Sequence, residues 1–282
     1  KNSNSSEIQD SVKSVAQAWL ASGLDPEKSN FYRQSDVPEI LELSWILNCV
    51  TAKGLMNRSH AYKAATALNE TDEDKGITMG LFSYPVLMAA DILMFNATHV
   101  PVGPDQIQHL EMTRDIAGRF NHIYKNTFSM PEAITQKADE IILGQDGRKM
   151  SKSYKNIIPL LSTEKALKKS IAKIITNSLE PGEPKDYESC TVFSLYRHFS
   201  NSDEQESLKE AYKEGISWGD AKNKLFEKVN SHLSPIREKY FELDADVNLI
   251  NELLLSGAKK VRPQAQELLG NVRDLIGIKS IS

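Results

Sequence analysis

At 282 residues the chain is long enough to bury a full core and divides into one large domain and one smaller one. Its net charge of −4 excludes wholesale coating of nucleic acid, so a nucleic-acid partner must be met by local basic faces. Cys49 and Cys190 lack paired spacing, which excludes a disulfide framework and a zinc site and fits a reducing cytoplasm. No apolar run reaches the roughly 18 to 20 residues of a membrane span, and the opening Lys1 to Ser6 has no signal-peptide core behind it.

Ile8, Val12, Val15 and Trp19 recur at helical spacing between a cap at Ser5 or Ser6 and a stop at Gly23 and Pro26, which predicts an amphipathic helix with one buried face. Ser29 to Ser35 reads as a short strand. Asp36-Val37-Pro38-Glu39 then reads as an N-cap with its reciprocal glutamate, opening a helix through Leu41, Trp45 and Leu47. Helix, strand, helix at this spacing predicts a parallel α/β sheet. Beyond Arg58, His60 and Lys63, residues 69–76 are acidic and polar, a surface loop.

In Gly80 to Met94, Pro85 suits a first helical turn, and Tyr84, Met88 and Asp91 then share one stripe. A carboxylate in so apolar a run is costly unless a donor meets it. Asp91 therefore either bonds to neighbouring backbone or solvent, or accepts a hydrogen bond from a ligand in a pocket floored by Met88 and Tyr84. Thr98 to Val102 reads as a strand, and Gly103-Pro104-Asp105-Gln106 opens a helix periodic to about Tyr124. A glycine between strand end and helix start lets a nucleotide approach the backbone. Asp105 either caps that helix or accepts from a ribose hydroxyl, and Gln106 offers an amide to the polar end of an amino acid. His109 and His122 read as packing or surface residues, since no ligand cluster completes a metal site.

Ala138 to Leu143 reads as a strand, with Ile141 and Ile142 placed either to cover a flat adenine ring or to pack in the core. It leads into Gly147-Arg148-Lys149-Met150-Ser151-Lys152-Ser153, two lysines three apart among small hydroxyl residues, the chemistry of a mobile loop that grips phosphate. Lys165, Lys168 or Lys169, and Lys173 form a basic stripe, read as a solvated face that could meet a nucleic-acid backbone. After the break at residues 180–184, segments around 193–199, 208–212, 221–229, 249–258 and 263–276 read as helices of a mainly helical second domain.

The Lys149 to Ser153 pentapeptide resembles the second signature of the class I aminoacyl-tRNA synthetases. With Leu87-Met88-Ala89-Ala90-Asp91-Ile92-Leu93 and the run Val100 to His109, in that order and at those separations, the whole chain resembles the bacterial and organellar tryptophanyl-tRNA synthetase family. The resemblance implies a Rossmann-like parallel-sheet nucleotide-binding domain over residues 1–160, and over 161–282 a helical tRNA- and anticodon-binding domain whose last helix packs back on the first. It implies a cytoplasmic homodimer, with no membrane partner, that activates L-tryptophan with ATP and Mg2+ and charges tRNA(Trp). Asp91 would receive the indole N–H, with Met88 against the ring and Tyr84 nearby, and Gln106 would orient the amino acid backbone. Gly103, Pro104 and Asp105 would contact ATP and Ile141 would lie on adenine. Lys149, Lys152 and Ser151 would be catalytic, with Met150 and Ser153 also at the phosphates.

The chain departs from the family at several points. Tyr154-Lys155-Asn156 stands where many members carry an aspartate, and Gly144 to Gly147 is a shorter connection than usual. Ala65 replaces a lysine found near the phosphates in other members, which leaves Lys63 as its substitute. The HIGH-type signature is not found, so the chain as given is expected to bind ATP poorly and catalyse badly. Two rival readings are a tyrosyl enzyme of the same class and a non-catalytic fragment that binds tRNA or a partner chain.

Overall fold

The computed structural model describes residues 4–69, 72, 74–135 and 141–278. In chain order the elements are α1 (Ser5–Ala21), α2 (Glu39–Val50), α3 (Lys53–Met56), α4 (His60–Thr66), α5 (Met79–Leu93), β1 (His99–Pro101), α6 (Ile107–Ile123), β2 (Glu132–Ile134), α7 (Glu164–Ala172), α8 (Thr191–Arg197), α9 (Ser202–Lys213), α10 (Trp218–Ala245) and α11 (Val247–Ile276). The chain separates into two compact units, Lys1–Asp25 with Asp139–Asn251 and Pro26–Ala138 with Glu252–Ser282. These units interleave along the sequence, unlike the 1–160 and 161–282 division expected from it.

In the second unit β1 and β2 pair in parallel, His99 opposite Glu132 and Pro101 opposite Ile134, joined through α6 as a β-α-β crossover. α5 packs against both α2 and α6, and its small residues Ala89 and Ala90 are fully buried, which lets its neighbours approach closely. The core there joins Leu43 and Leu47 of α2, Val86 and Leu93 of α5, and Ile116 and Phe120 of α6 to Ala258, Val261, Ala265, Leu269 and Val272 of α11. Arg262 pairs with Glu39 at 2.8 Å and Gln266 donates to the same carboxylate at 3.0 Å. At Gly257 a β-carbon would meet the Phe31 carbonyl oxygen at 1.9 Å, so α11 crosses the 29–35 segment at glycine-only distance.

The first unit is helical around the fully buried Tyr212, with Leu167, Ile171, Val192 and Leu225 beside it. α1 packs on α10, where Asp244 accepts from Gln17 at 3.0 Å and pairs with Lys13 at 2.7 Å.

Several expectations from sequence change. The packed face of α1 is Ala16, Gln17 and Leu20, while Ile8, Val15 and Trp19 are exposed. Residues 29–35 form no strand. Their end is a 3-10 turn, Gln34–Asp36, because Arg33 and Asp36 clasp each other through two bonds of 3.0 Å. Asp36 caps nothing, and Leu41 and Trp45 point to solvent. α5 starts six residues ahead of Pro85, where the Thr78 hydroxyl accepts from the Leu81 amide at 3.2 Å, so Pro85 lies inside the helix. The two expected C-terminal helices are one, since the buried stripe of α11 runs unbroken past Pro263 and packing outweighs the lost backbone bond. Ala138 to Glu140 lie outside the described residues. Ile141 and Ile142, 65% and 46% exposed, are neither in a strand nor in the core.

Candidate active site

In the second unit, Asp91 sits half-buried on α5 and is met by a donor from the chain itself: the Gln34 amide nitrogen lies 2.9 and 2.7 Å from its two oxygens. Burial raises the Asp91 carboxyl above its usual range and the Gln34 bond opposes the rise. Beside it, burial and then the charge of Asp91 push the Tyr32 phenol up to about 12. Tyr84 and Met88 occupy the same stripe of α5, partly exposed.

A second set of bonds joins α5 to the turn after β1. The Tyr84 hydroxyl lies 2.7 Å from Nε2 of His109, Nδ1 of His109 lies 3.0 Å from Oε1 of Gln106, and Nε2 of Gln106 donates to Asp105 at 2.9 Å. Burial lowers the His109 pKa, the nearby His60 adds to that, and Asp105 opposes it. Burial also raises the Tyr84 phenol, and the nearby Ser59 opposes the rise although its buried hydroxyl makes no hydrogen bond of good geometry. Gly103 precedes a 3-10 turn, Pro104–Gln106, and leaves room for Asp105, whose Oδ1 a β-carbon would meet at 2.8 Å. Gly103 ahead of that turn and Gln106 ahead of α6 accept no side-chain cap bond.

In the first unit the lysine loop closes a tight hairpin. Leu143 bridges Lys149 antiparallel, Met150 N–H donates to the Ile142 carbonyl at 2.8 Å, and Gly147 takes the left-handed conformation at φ +76°. Asn156, 3% exposed, ties the hairpin to the loop. Its oxygen accepts from Ser151 N–H at 2.8 Å, and its amide donates to Asp146 at 2.7 Å and to the Lys149 carbonyl at 3.1 Å. That bond from Asn156, then Arg148, pull Asp146 down to about 2. Arg148 is thereby used structurally, gripping Asp146 at 2.6 Å and lying 4.7 Å over the Tyr154 ring. Lys149 and Lys152 are exposed and, among the described residues, in no ion pair, while the Ser151 and Ser153 hydroxyls are 2.7 Å apart. Met150 lines a cavity of about 160 Å³ behind the hairpin with Ile142, Ile158, Leu195, Phe199 and Val229.

Within the second unit the expected residues Tyr84, Gln106 and Asp105 are linked through His109, and Asp91 is paired with Gln34. In the first, Lys149, Met150, Ser151, Lys152 and Ser153 share one loop. Sequence reasoning missed Gln34, 57 positions before its partner, and passed over His109, although Gln106 and His109 at i and i+3 share a helix face. It also missed Asn156, seen only as a departure from a pattern.

The family model for tRNA synthetases class I (W and Y) matches residues 1–234. Tryptophan--tRNA ligase of Neisseria meningitidis is 54% identical over 278 residues, spanning 97% of this chain and 83% of the relative. Tryptophan--tRNA ligase of Bordetella parapertussis is 52% identical over 272 residues, spanning 95% of this chain but 60% of the relative, so the chain falls short of two thirds of that protein. The crystal structure of tryptophanyl-tRNA synthetase from Campylobacter jejuni complexed with ADP and tryptophan is similar at TM-score 0.90 and 43% identity, covering 98% of this chain and 85% of that one.

Proposed function

We propose a function from one premise: the chain belongs to the class I tRNA synthetases of the tryptophan and tyrosine group, and within them to the tryptophan--tRNA ligases. On this reading the carboxylate of L-tryptophan attacks the α-phosphorus of ATP, the bond to the bridging oxygen breaks, and tryptophanyl-adenylate and pyrophosphate form. The acyl group then passes to the terminal adenosine of tRNA(Trp). Such phosphoryl transfer needs positioning and charge neutralisation more than a base. Lys149 and Lys152, exposed and in no ion pair among the described residues, supply that charge to the departing pyrophosphate. Ser151 and Ser153 with the loop amides supply further donors, and Asp105 with Gly103 and Pro104 faces the nucleotide. Mg2+ enters on this reading with the ATP phosphates, as that ion commonly does.

The observation that carries the specificity is Asp91: a half-buried carboxylate on an apolar helix, fixed by Gln34 and suited to one ring N–H, with Met88 and Tyr84 on the same stripe. A ligand lacking that N–H leaves a buried acceptor unmatched and is rejected. Three further features belong to this reading. The enzyme is a homodimer, supported by the uncovered apolar stripe Leu41, Trp45 and Cys49 of α2, with Trp45 71% exposed. The helices from 161 onward, with the basic face of α7, meet the tRNA. Among the described residues no helix is long and apolar enough to cross a membrane; separately, the cytoplasmic location is proposed on the family membership alone.

Pyrophosphate exchange by the full-length protein tests the whole: exchange driven by tryptophan supports the reading, and exchange driven by tyrosine or by neither overturns it. Asp91→Ala is expected to raise the KM for tryptophan by roughly tenfold or more, the worth of a hydrogen bond to a charged group. An unchanged KM removes the specificity argument.

A further inference from the structure

We infer that His109 is a positioning residue for this reaction: a neutral imidazole, with its proton on Nδ1, that locks the Gln106 carboxamide in one orientation between Tyr84 and Asp105. The inference rests on the tryptophan-activating role proposed above. The partners dictate it atom by atom. Oε1 of Gln106 carries no proton, so the 3.0 Å contact makes Nδ1 of His109 the donor. A neutral ring then has an unprotonated Nε2, and at 2.7 Å the Tyr84 hydroxyl must donate to it. Gln106, its oxygen used, donates from nitrogen to Asp105 at 2.9 Å. All three bonds point the same way, from the tryptophan-side phenol to the nucleotide-side carboxylate. Burial, which leaves His109 5% exposed, disfavours the imidazolium that would break the first of them.

The consequence is that Gln106 cannot turn over. An amide flip would set its NH2 against the Nδ1 proton and its oxygen against the Asp105 carboxylate, two repulsions replacing two bonds. The amide therefore meets the substrate already oriented, with one N–H and one oxygen lone pair still available. A residue with only a packing role would not bias that choice.

The test uses the full chain and two readouts. Long-range proton–nitrogen spectra of histidine-labelled protein near pH ~7 should report His109 as the Nδ1–H tautomer, identified by its loss in His109→Asn. Gln106→Leu should return it to the Nε2–H form, and Tyr84→Phe should shift Nε2 alone. An Nε2–H tautomer or an imidazolium in the unaltered protein overturns the lock, whether or not the protein turns over. In exchange kinetics, His109→Leu should raise the KM for tryptophan about tenfold, as for one buried hydrogen bond to an oriented partner. His109→Asn, whose amide keeps a donor near the Nδ1 position, should recover most of that. Equal KM values in the two variants, or a fall only in the folded fraction, overturn the role. If the unaltered protein gives no tryptophan-driven exchange, the functional reading fails while the spectra still decide the tautomer.

Discussion

Asp91 is held between two opposing influences, and its pH behaviour follows from them. Burial favours the neutral carboxyl, and the single amide nitrogen of Gln34, bonded to both oxygens, favours the anion. Only the anion offers full acceptor strength to an indole N–H. Gln34→Ala removes the influence that lowers the pKa, so the pKa rises further and the anion is lost at a higher pH than in the parent protein. The expected outcome is an acid limb in the KM for tryptophan displaced upward in pH, with the KM for ATP unmoved, measured by exchange across acidic to neutral buffers. An acid limb that stays in place would mean that Gln34 does not control Asp91. The raised phenol of Tyr32 adds a neutral neighbour and no competing charge at these pH values.

The lysine hairpin owes its shape to one glycine and one asparagine. A β-carbon on Gly144 would lie 2.4 Å from Cγ and Nδ2 of Asn156 and 2.6 Å from its carbonyl oxygen, so Gly144→Ala must expel the residue that joins Asp146, Lys149 and Ser151. Three bonds at about 1 kcal/mol each are at stake. Gly144→Ala should raise the KM for ATP roughly tenfold or more, with little change in the KM for tryptophan, and Asn156→Ala should do the same; exchange kinetics with each substrate varied would check both. The pentapeptide itself is legible in sequence through its resemblance to the class I signature. Its support was not, because Asn156 acts through a buried turn with no periodic signature. The same contrast holds elsewhere. The long periodic helix α6 could be read from its apolar spacing, and of α10 only the 221–229 stretch, whereas the strand expected at 29–35 failed because the Arg33 and Asp36 side chains bind each other and set a turn. Prolines misled twice: Pro85 and Pro263 both lie inside helices, where burial of the surrounding stripe outweighs one missing N–H. The α1 face was misjudged because hydrophobic spacing alone does not say which neighbour arrives, and α10 arrives on the Lys13 and Gln17 side.

At the scale of the molecule, the second unit is discontinuous, built from residues 26–138 and from 252 onward, and its core takes Ala258, Val261, Ala265, Leu269 and Val272 from α11. The Tyr84, Asp91 and Gln106 group thus depends on helix residues more than a hundred positions later. Deleting residues 257–282 should abolish tryptophan binding by titration calorimetry although every proposed contact residue remains. Gly257→Ala, which keeps the helix but forces its β-carbon onto the Phe31 carbonyl, should leave a folded protein with a raised KM for tryptophan, because Tyr32 and Gln34 follow directly in the displaced segment. Tryptophan binding that survives both changes would detach the pocket from α11.

That interleaving also sets a timetable for a chain made from its first residue to its last. Until the ribosome has added α11, the hydrophobic faces of α2, α5 and α6 have no Val261 or Leu269 to close against, so a nascent chain carries an open apolar seam until that helix has been made. Chaperone capture during synthesis, and loss of yield when the chain is stopped ahead of Val261, are the cellular signatures to expect of a core closed by a helix made so long after the faces it covers.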